Sequence, residues 1–140
     1  MLQYDYDFEY IGLRLSPDFF ESLPDEVFAH IQNGNHVYAD HITCLHRSQM
    51  GKDGSENVLI NFIEDVIMHR NYLVYVKFTH IGISDKALAL KAEFEVSCMN
   101  ENPHCTIVTF NDGKPKDSNA ITDWQPLENP ITTQAMWCIQ

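Results

Sequence analysis

The chain has 140 residues, 44% of them hydrophobic and 21% charged, which is the balance of one globular domain with its own core. Its net charge of −11 argues against a surface that follows an extended nucleic acid, because such binding needs many Lys and Arg contacts, but it permits a small nucleotide or an RNA end in a pocket. No apolar run is long enough to cross a membrane and the acidic start lacks the basic residues of a secretory signal, so we expect no membrane partner and a reducing, cytoplasmic or nuclear-type compartment.

The first half of the chain alternates strand and helix signals. FEYIGLRL predicts a strand over residues 8–15. A helix start follows at Ser16, where a capping serine precedes proline and aspartate, and the same signal repeats in a helix that ends near Gly34. HVYADHITCLH predicts one strand over 36–46 and, after a loop, apolar residues at helical spacing predict a helix over 57–72.

The second half is mostly strand. Apolar and β-branched segments predict two strands over residues 73–83 and 87–98, joined by a turn, and a further strand over 104–110. A turn-rich loop over 111–119 and a final strand over 131–140 complete the chain. This order predicts an α+β fold with an antiparallel sheet, in one domain over the whole chain.

Three of the seven histidines are followed, two positions later, by a hydroxyl residue, which is more than chance supplies. Two of these pairs, His41 with Thr43 and His104 with Thr106, have matching apolar or thiol neighbours. Residues i and i+2 of a strand share a face, so each pair presents an imidazole beside a hydroxyl. The interleaved residues are then expected to face a core: Ile42, Cys44, Cys105 and Ile107.

The third pair, His46 with Ser48, is interpreted as accidental. The charged Arg47 lies between the two residues, and His46 is an odd number of positions from His41, so its side chain is expected to face away from that of His41. The remaining histidines are expected to lie in helices, strand ends or turns without a function: His30, His36, His69 and His80.

A metal site would have to recruit side chains from the same strands, namely His36, His41, Cys44, His46 and Cys105. His41 and Cys44 are predicted to lie on opposite faces of their strand, and so are His104 and Cys105, so they cannot converge on one ion. We therefore expect no metal and no cofactor. The four cysteines lack CxxC or secreted-scaffold spacing, which favours free, half-buried thiols and leaves a disulfide open.

The two pairs suit the opening of a cyclic phosphodiester. Such a reaction needs a base for water on one side of phosphorus and an acid for the leaving oxygen on the other. Two histidines with an ordinary pKa near 6.5 permit one to be neutral and one charged at neutral pH. Threonine hydroxyls can donate to the non-bridging oxygens, where charge accumulates. The residues alone do not say which histidine is the base.

Two HxT motifs in strands, one in each half of a small α+β protein, resemble the two-histidine (2H) phosphoesterase superfamily. YIGLRLSP before a helix, then YADHITCL, HCTIVTFNDGKPKDSN and a later Trp-Gln-Pro are most similar to its RNA-repair and tRNA-ligase cyclic-phosphodiesterase-like branch. The resemblance implies a bilobal fold, with two antiparallel sheets and flanking helices around a central cleft. It also implies metal-independent cleavage of 2′,3′-cyclic phosphates or 2′-5′ linkages. The catalytic four would be His41, Thr43, His104 and Thr106, with His104 as base and His41 as acid.

Three further residues are candidates for substrate binding. Tyr10 is the best of four aromatic candidates to stack a base, the others being Tyr38, Trp124 and Trp137, for which core packing is the competing role. Lys114, in the only local basic pair, can draw phosphate into the cleft, and Ser118 lies in the same loop; a solvated loop and turn chemistry explain these two equally well.

The expected function is hydrolysis of a 2′,3′-cyclic phosphate at an RNA end or of a small cyclic nucleotide. Three alternatives stay open: a hydrolase of cyclic oligonucleotide or 2′-5′-linked signalling molecules, of the anti-defence type found in phages; a non-catalytic nucleotide or RNA-end binding module; and a structural protein in which the repeated motif is accidental. For the expected function and for the first two of these alternatives, the partner is a small nucleotide or an RNA end.

Overall fold

The structure is a computed structural model that describes residues 9–32, 34, 36–46, 56–69, 71–96, 98, 100 and 102–140. Within these ranges the chain forms seven strands, two α-helices and two short 3-10 helices. The strands are β1 (Tyr10–Leu15), β2 (His36–Val37), β3 (His41–His46), β4 (Val74–Ile83), β5 (Ala87–Glu93), β6 (His104–Thr109) and β7 (Trp124–Ile139). The helices are α1 (Asp25–Ile31) and α2 (Glu56–His69), and the 3-10 helices are Phe20–Ser22 and Pro115–Ala120.

The described strands form one antiparallel sheet in the order β2-β6-β5-β4-β7-β1-β3. The predicted combination of helices with an antiparallel sheet is confirmed. The prediction of two separate sheets is not, because the 16-residue strand β7 pairs with β4 on one side and with β1 on the other. One long strand therefore joins the two halves.

The two ends of the sheet approach each other, since β3 at one edge contacts β6 near the other edge. The link between β2 and β3 spans this gap. The Tyr38 N–H donates to the carbonyl of Ile107 at 2.8 Å, and the Ala39 N–H donates to that of Thr106 at 2.9 Å. These bonds to β6 hold the beginning of β3 beside it, so the two HxT strands face each other.

The predicted strand over 36–46 is broken at this link. Ala39 adopts a left-handed backbone with φ of 51°, which is uncommon for a residue with a Cβ and turns the chain from β6 toward β1. The predicted helix at Ser16 is also wrong as an α-helix. The chain forms a turn and the 3-10 helix Phe20–Ser22 there, and the α-helix begins only at Asp25, after Pro24.

The core lies between the sheet and its helices. Phe62, Ile63 and Val66 of α2 are buried, and the ring of Phe62 packs edge-on against Trp137 of β7, with centroids 5.7 Å apart. The apolar spacing that predicted this helix thus marks its buried face. All four cysteines are free thiols, as expected. No helix in the described ranges is both long and apolar enough to span a membrane.

Candidate active site

The four HxT residues line a single cavity of about 1220 Å³. His41 and Thr43 come from β3, and His104 and Thr106 from β6. The residues between them point into the core, as the strand alternation predicts, and all are fully buried: Ile42, Cys44, Cys105 and Ile107. The thiols therefore lie on the opposite side of each strand from the imidazoles, which keeps them out of the cavity.

His41 is held by a carboxylate and an aromatic ring. Its Nδ1 lies 2.8 Å from Oδ1 of Asp40, and because a carboxylate accepts only, Nδ1 carries the proton in this contact. The ring of Tyr10 stacks on the imidazole, with centroids 4.6 Å apart and an angle of 21° between the planes. The contact with Asp40 fixes the tautomer and orientation of the His41 ring and leaves Nε2 as the nitrogen available for a proton transfer.

His104 has a different environment. Its Nδ1 donates to the backbone carbonyl of Asn102 at 2.9 Å, which leaves Nε2 with the lone pair. Burial lowers the pKa of His104, the hydrogen bond to Asn102 opposes that shift in part, and the nearby His41 lowers the pKa further. His104 is therefore neutral at neutral pH and is suited to accept a proton.

Ser118 lines the cavity and is hydrogen-bonded to Thr106. Its hydroxyl is 1% exposed and lies 2.8 Å from Oγ1 of Thr106, which also donates to the carbonyl of Pro115 at 3.4 Å. The 3-10 helix Pro115–Ala120 carries this side chain, which also lines the cavity, so direct contact of Ser118 with a substrate stays a prediction. The contact with Ser118 orients the Thr106 hydroxyl.

We expect Ser118→Ala to lower the free energy of unfolding by about 1 kcal/mol, because it removes one buried hydrogen bond. It should also lower kcat by roughly 3- to 10-fold, since the Thr106 hydroxyl loses a partner that orients it. Urea unfolding and initial rates measure the two effects. Ser22→Ala is the matched control, since that hydroxyl donates to the Phe19 carbonyl far from the cavity. Equal rates for the two variants would contradict the role given to Ser118.

Tyr10 lines the cavity, as predicted, but one face of its ring already covers His41. Burial, then the nearby Cys138 and Asp40, raise the pKa of Tyr10 from 10.0 to about 12. The phenol is therefore neutral at physiological pH, and only its second face is open to a base. Its contact with His41 makes Tyr10 a support for that imidazole as well.

Basic side chains gather on one wall of the cavity. Lys114 lies there as predicted, on the exposed 3-10 segment, and Lys116 and Lys91 line the same cavity. These are three of the nine Lys and Arg residues in a chain whose net charge is −11. The described lining residues from β1, β3 and the residue before β1 include no Lys or Arg: Glu9, Tyr10, His41, Thr43 and His46. An anion in the cavity is thus attracted toward the second motif.

His46 also lines this cavity, so the prediction that it faces away is wrong. The cause is a β-bulge: Ile11 pairs with Leu45, but the next residue of β1 pairs with Thr43, so Cys44 is an extra residue in β3. One extra residue reverses the alternation beyond it and returns His46 to the side of His41. Its predicted hydroxyl partner, Ser48, lies outside the described residues.

Lys91 and Trp124 also line the cavity. The Nζ of Lys91 lies over the indole of Trp124, 5.6 Å from its centroid, and the Trp124 and His104 ring centroids are 6.4 Å apart. Lys91 reaches the site because it pairs with His104 in the β5–β6 register. No local motif marks Lys91, and only knowledge of that register could have found it.

Models of known protein families and curated protein sequences give no match to this chain. Among solved structures it is similar to the crystal structure of a fungal RNA kinase, with a TM-score of 0.70 and 17% sequence identity. The superposition covers 99% of this chain but 46% of the kinase chain, so this chain spans less than half the length of that protein. The protein therefore shares its fold with part of a fungal RNA kinase.

Proposed function

We propose that this protein is a metal-independent 2H-type phosphodiesterase that opens a 2′,3′-cyclic phosphate at an RNA end or in a small nucleotide. The observation that carries the proposal is the pair of unlike imidazoles in one cavity: His104, neutral with a free Nε2, and His41, hydrogen-bonded to a carboxylate. Each comes with a threonine two residues later and from a different half of the sheet, which corresponds to one motif per lobe in this superfamily.

In the proposed reaction His104 acts as the general base. Its Nε2 takes a proton from water as the water oxygen forms a bond to phosphorus. The bond from phosphorus to one ribose oxygen breaks, and His41 protonates that oxygen as it leaves. The product is a phosphomonoester, and proton exchange with solvent returns both histidines to their starting states. The contact with Asp40 holds the His41 ring in position for this transfer.

Both threonines line the cavity together with the two histidines. In this proposal the hydroxyls of Thr43 and Thr106 donate to the non-bridging oxygens in the transition state. The Thr106 hydroxyl would exchange its long contact with the Pro115 carbonyl, 3.4 Å, for the phosphate. Ser118 remains as its partner and keeps the hydroxyl oriented.

We expect a bell-shaped dependence of kcat/KM on pH. His104 must be neutral to act as base, so the rate rises as pH increases through a pKa that burial holds below 6.5. His41 must be protonated to act as acid, so the rate falls again once it loses its proton. Initial rates measured across the pH range test this. A rate that rises to a plateau and stays there would contradict paired acid–base histidines.

A substrate panel tests the proposal directly. The protein is incubated in EDTA with 2′,3′-cyclic nucleotides, 2′-5′ oligonucleotides and cyclic dinucleotides, and products are separated by chromatography. Turnover of a 2′,3′-cyclic phosphate that persists in EDTA and is lost in both His41→Ala and His104→Ala is the expected result. Turnover that EDTA abolishes would require a metal, and nucleotide binding without turnover would indicate a binding module.

The cavity volume favours one alternative enough to include it in that panel. At about 1220 Å³ the cavity exceeds the range of about 300–1,000 Å³ in which small ligands usually bind. A 2′-5′-linked or cyclic oligonucleotide would use more of this space than a single nucleotide does. Faster turnover of such a substrate than of any 2′,3′-cyclic nucleotide would establish this second activity.

A further inference from the structure

A lysine is held against the face of an aromatic ring beside the second motif. The Lys91 Nζ lies 5.6 Å from the centroid of the Trp124 indole, within the range of a cation–π contact. The same indole lies 6.4 Å from the His104 ring. Lys91, Trp124 and His104 therefore form one cluster in the cavity wall.

Backbone pairing places both partners of this contact. Lys91 pairs with His104 in the β5–β6 register, and directly paired residues of an antiparallel ladder project from the same face. Trp124 begins β7 and pairs with Gly82 of β4. A Cβ at position 82 would lie 2.6 Å from the indole, so the absence of a side chain on Gly82 makes room for the ring. The indole is thus seated before any ligand arrives.

The position of Lys91 differs from that of the other two cavity lysines. Lys114 and Lys116 are exposed on the 3-10 segment, whereas Lys91 is half-buried and its ammonium has a fixed aromatic neighbour. A side chain that is already positioned loses less conformational entropy when it binds a ligand. Lys91 is therefore better prepared than its neighbours to make a defined contact with an anion.

The cavity also needs a cationic donor at this place. The chain as a whole carries a charge of −11, which opposes the approach of an anion. An ammonium group supplies both charge and hydrogen bonds to phosphate oxygens, and charge-assisted hydrogen bonds are the stronger kind.

We propose that Lys91 and Trp124 form an oxyanion-binding subsite for a phosphate group next to His104. Lys91 donates to a non-bridging oxygen, and Trp124 positions the ammonium through its ring face. The identity of this phosphate as the reacting group rests on the proposed function. The binding of a phosphate group at this place does not, and it is tested separately.

Calorimetric titration with inorganic phosphate and adenosine 2′-monophosphate tests the subsite. We expect Lys91→Ala to weaken binding of the nucleotide by about 10-fold or more, the usual scale for losing one charge-assisted hydrogen bond. Lys77→Ala is the matched control, since that lysine is exposed on β4 outside the cavity. Lys91→Arg keeps the charge and should retain more affinity than Lys91→Ala, which separates loss of charge from loss of folding. Equal affinities for Lys91→Ala and Lys77→Ala would overturn the subsite.

Trp124 is tested as a positioning residue. Trp124→Phe keeps an aromatic face and should weaken binding less than Trp124→Leu, which removes it, while both variants shorten the side chain. Equal losses in the two variants would overturn the role given to the ring. We expect added salt to leave the order of the affinities of these variants unchanged, because Lys91 is half-buried.

Kinetics with a 2′,3′-cyclic nucleotide separate this proposal from the proposed function. We expect Lys91→Ala to lower kcat by about 10-fold and to change KM less, because charge on the oxygens is greatest in the transition state. If the wild-type protein turns over no diester but Lys91→Ala still weakens phosphate binding, the proposed function is overturned and the subsite is supported. Wild-type turnover that Lys91→Ala leaves unchanged would overturn the subsite and leave the function standing.

Discussion

Replacing His104 with alanine is expected to lower kcat/KM for a 2′,3′-cyclic phosphate by about 10³-fold, within the usual range for loss of a general base. Burial and the hydrogen bond from Nδ1 to Asn102 leave His104 neutral with Nε2 available, and no other side chain in the described cavity has that combination. Steady-state rates at the pH optimum measure the effect. Because water must then lose its proton to solvent, the residual rate should rise with pH.

His36→Ala is the matched control for this variant. His36 is exposed on β2, contacts the ring of Tyr38 and lies outside the cavity. We expect its rate to match that of the wild type to within about 2-fold, as for most surface substitutions. A His104→Ala protein that keeps a tenth or more of the wild-type rate would show that His104 is not the base.

Gly12→Ala should damage stability and the site together. An added Cβ would collide with the carbonyl oxygen of Ile42 and lie 3.3 Å from the Cα of Thr43, so β3 has to move between its two HxT residues. We expect the free energy of unfolding to fall by about 1–3 kcal/mol, as in overpacked cores. A displacement of His41 and Thr43 relative to β6 should lower kcat by roughly 10-fold or more, because catalysis depends on their position.

Urea unfolding and initial rates measure both effects of Gly12→Ala. Thr132→Ala is the control, since it also places alanine in a strand but at an exposed position of β7 away from the cavity. A Gly12→Ala protein as stable and as active as Thr132→Ala would mean that β1 and β3 can separate without disturbing the site.

Sequence alone places both HxT pairs correctly on strands, because alternation within one strand is a local property. Ile42 and Cys105 are buried as expected, and the imidazoles therefore share the cavity face with their threonines. The main helices and the antiparallel sheet follow from apolar spacing for the same reason. Local patterns thus determine which residues of a strand share a face.

The features of the site that the sequence did not predict depend on contacts between distant segments of the chain. Lys91 enters the site through its register with His104, and His46 enters it through a bulge that inserts Cys44 into β3. The hydrogen bond of Ser118 to Thr106 depends on the 3-10 helix that places the two hydroxyls together. Register, bulges and packing of a loop are set by tertiary structure, so a single sequence carries no direct signal for them.

The main-chain bonds of Tyr38 and Ala39 to β6 have a consequence for selectivity. They connect the start of the first motif's strand to the backbone of the second motif, through the carbonyls of Ile107 and Thr106. The separation of the two strand backbones at the site is therefore fixed by main-chain hydrogen bonds. In the proposed enzyme these bonds oppose any movement of the two motifs away from each other, which favours a substrate that fits the cavity without opening it.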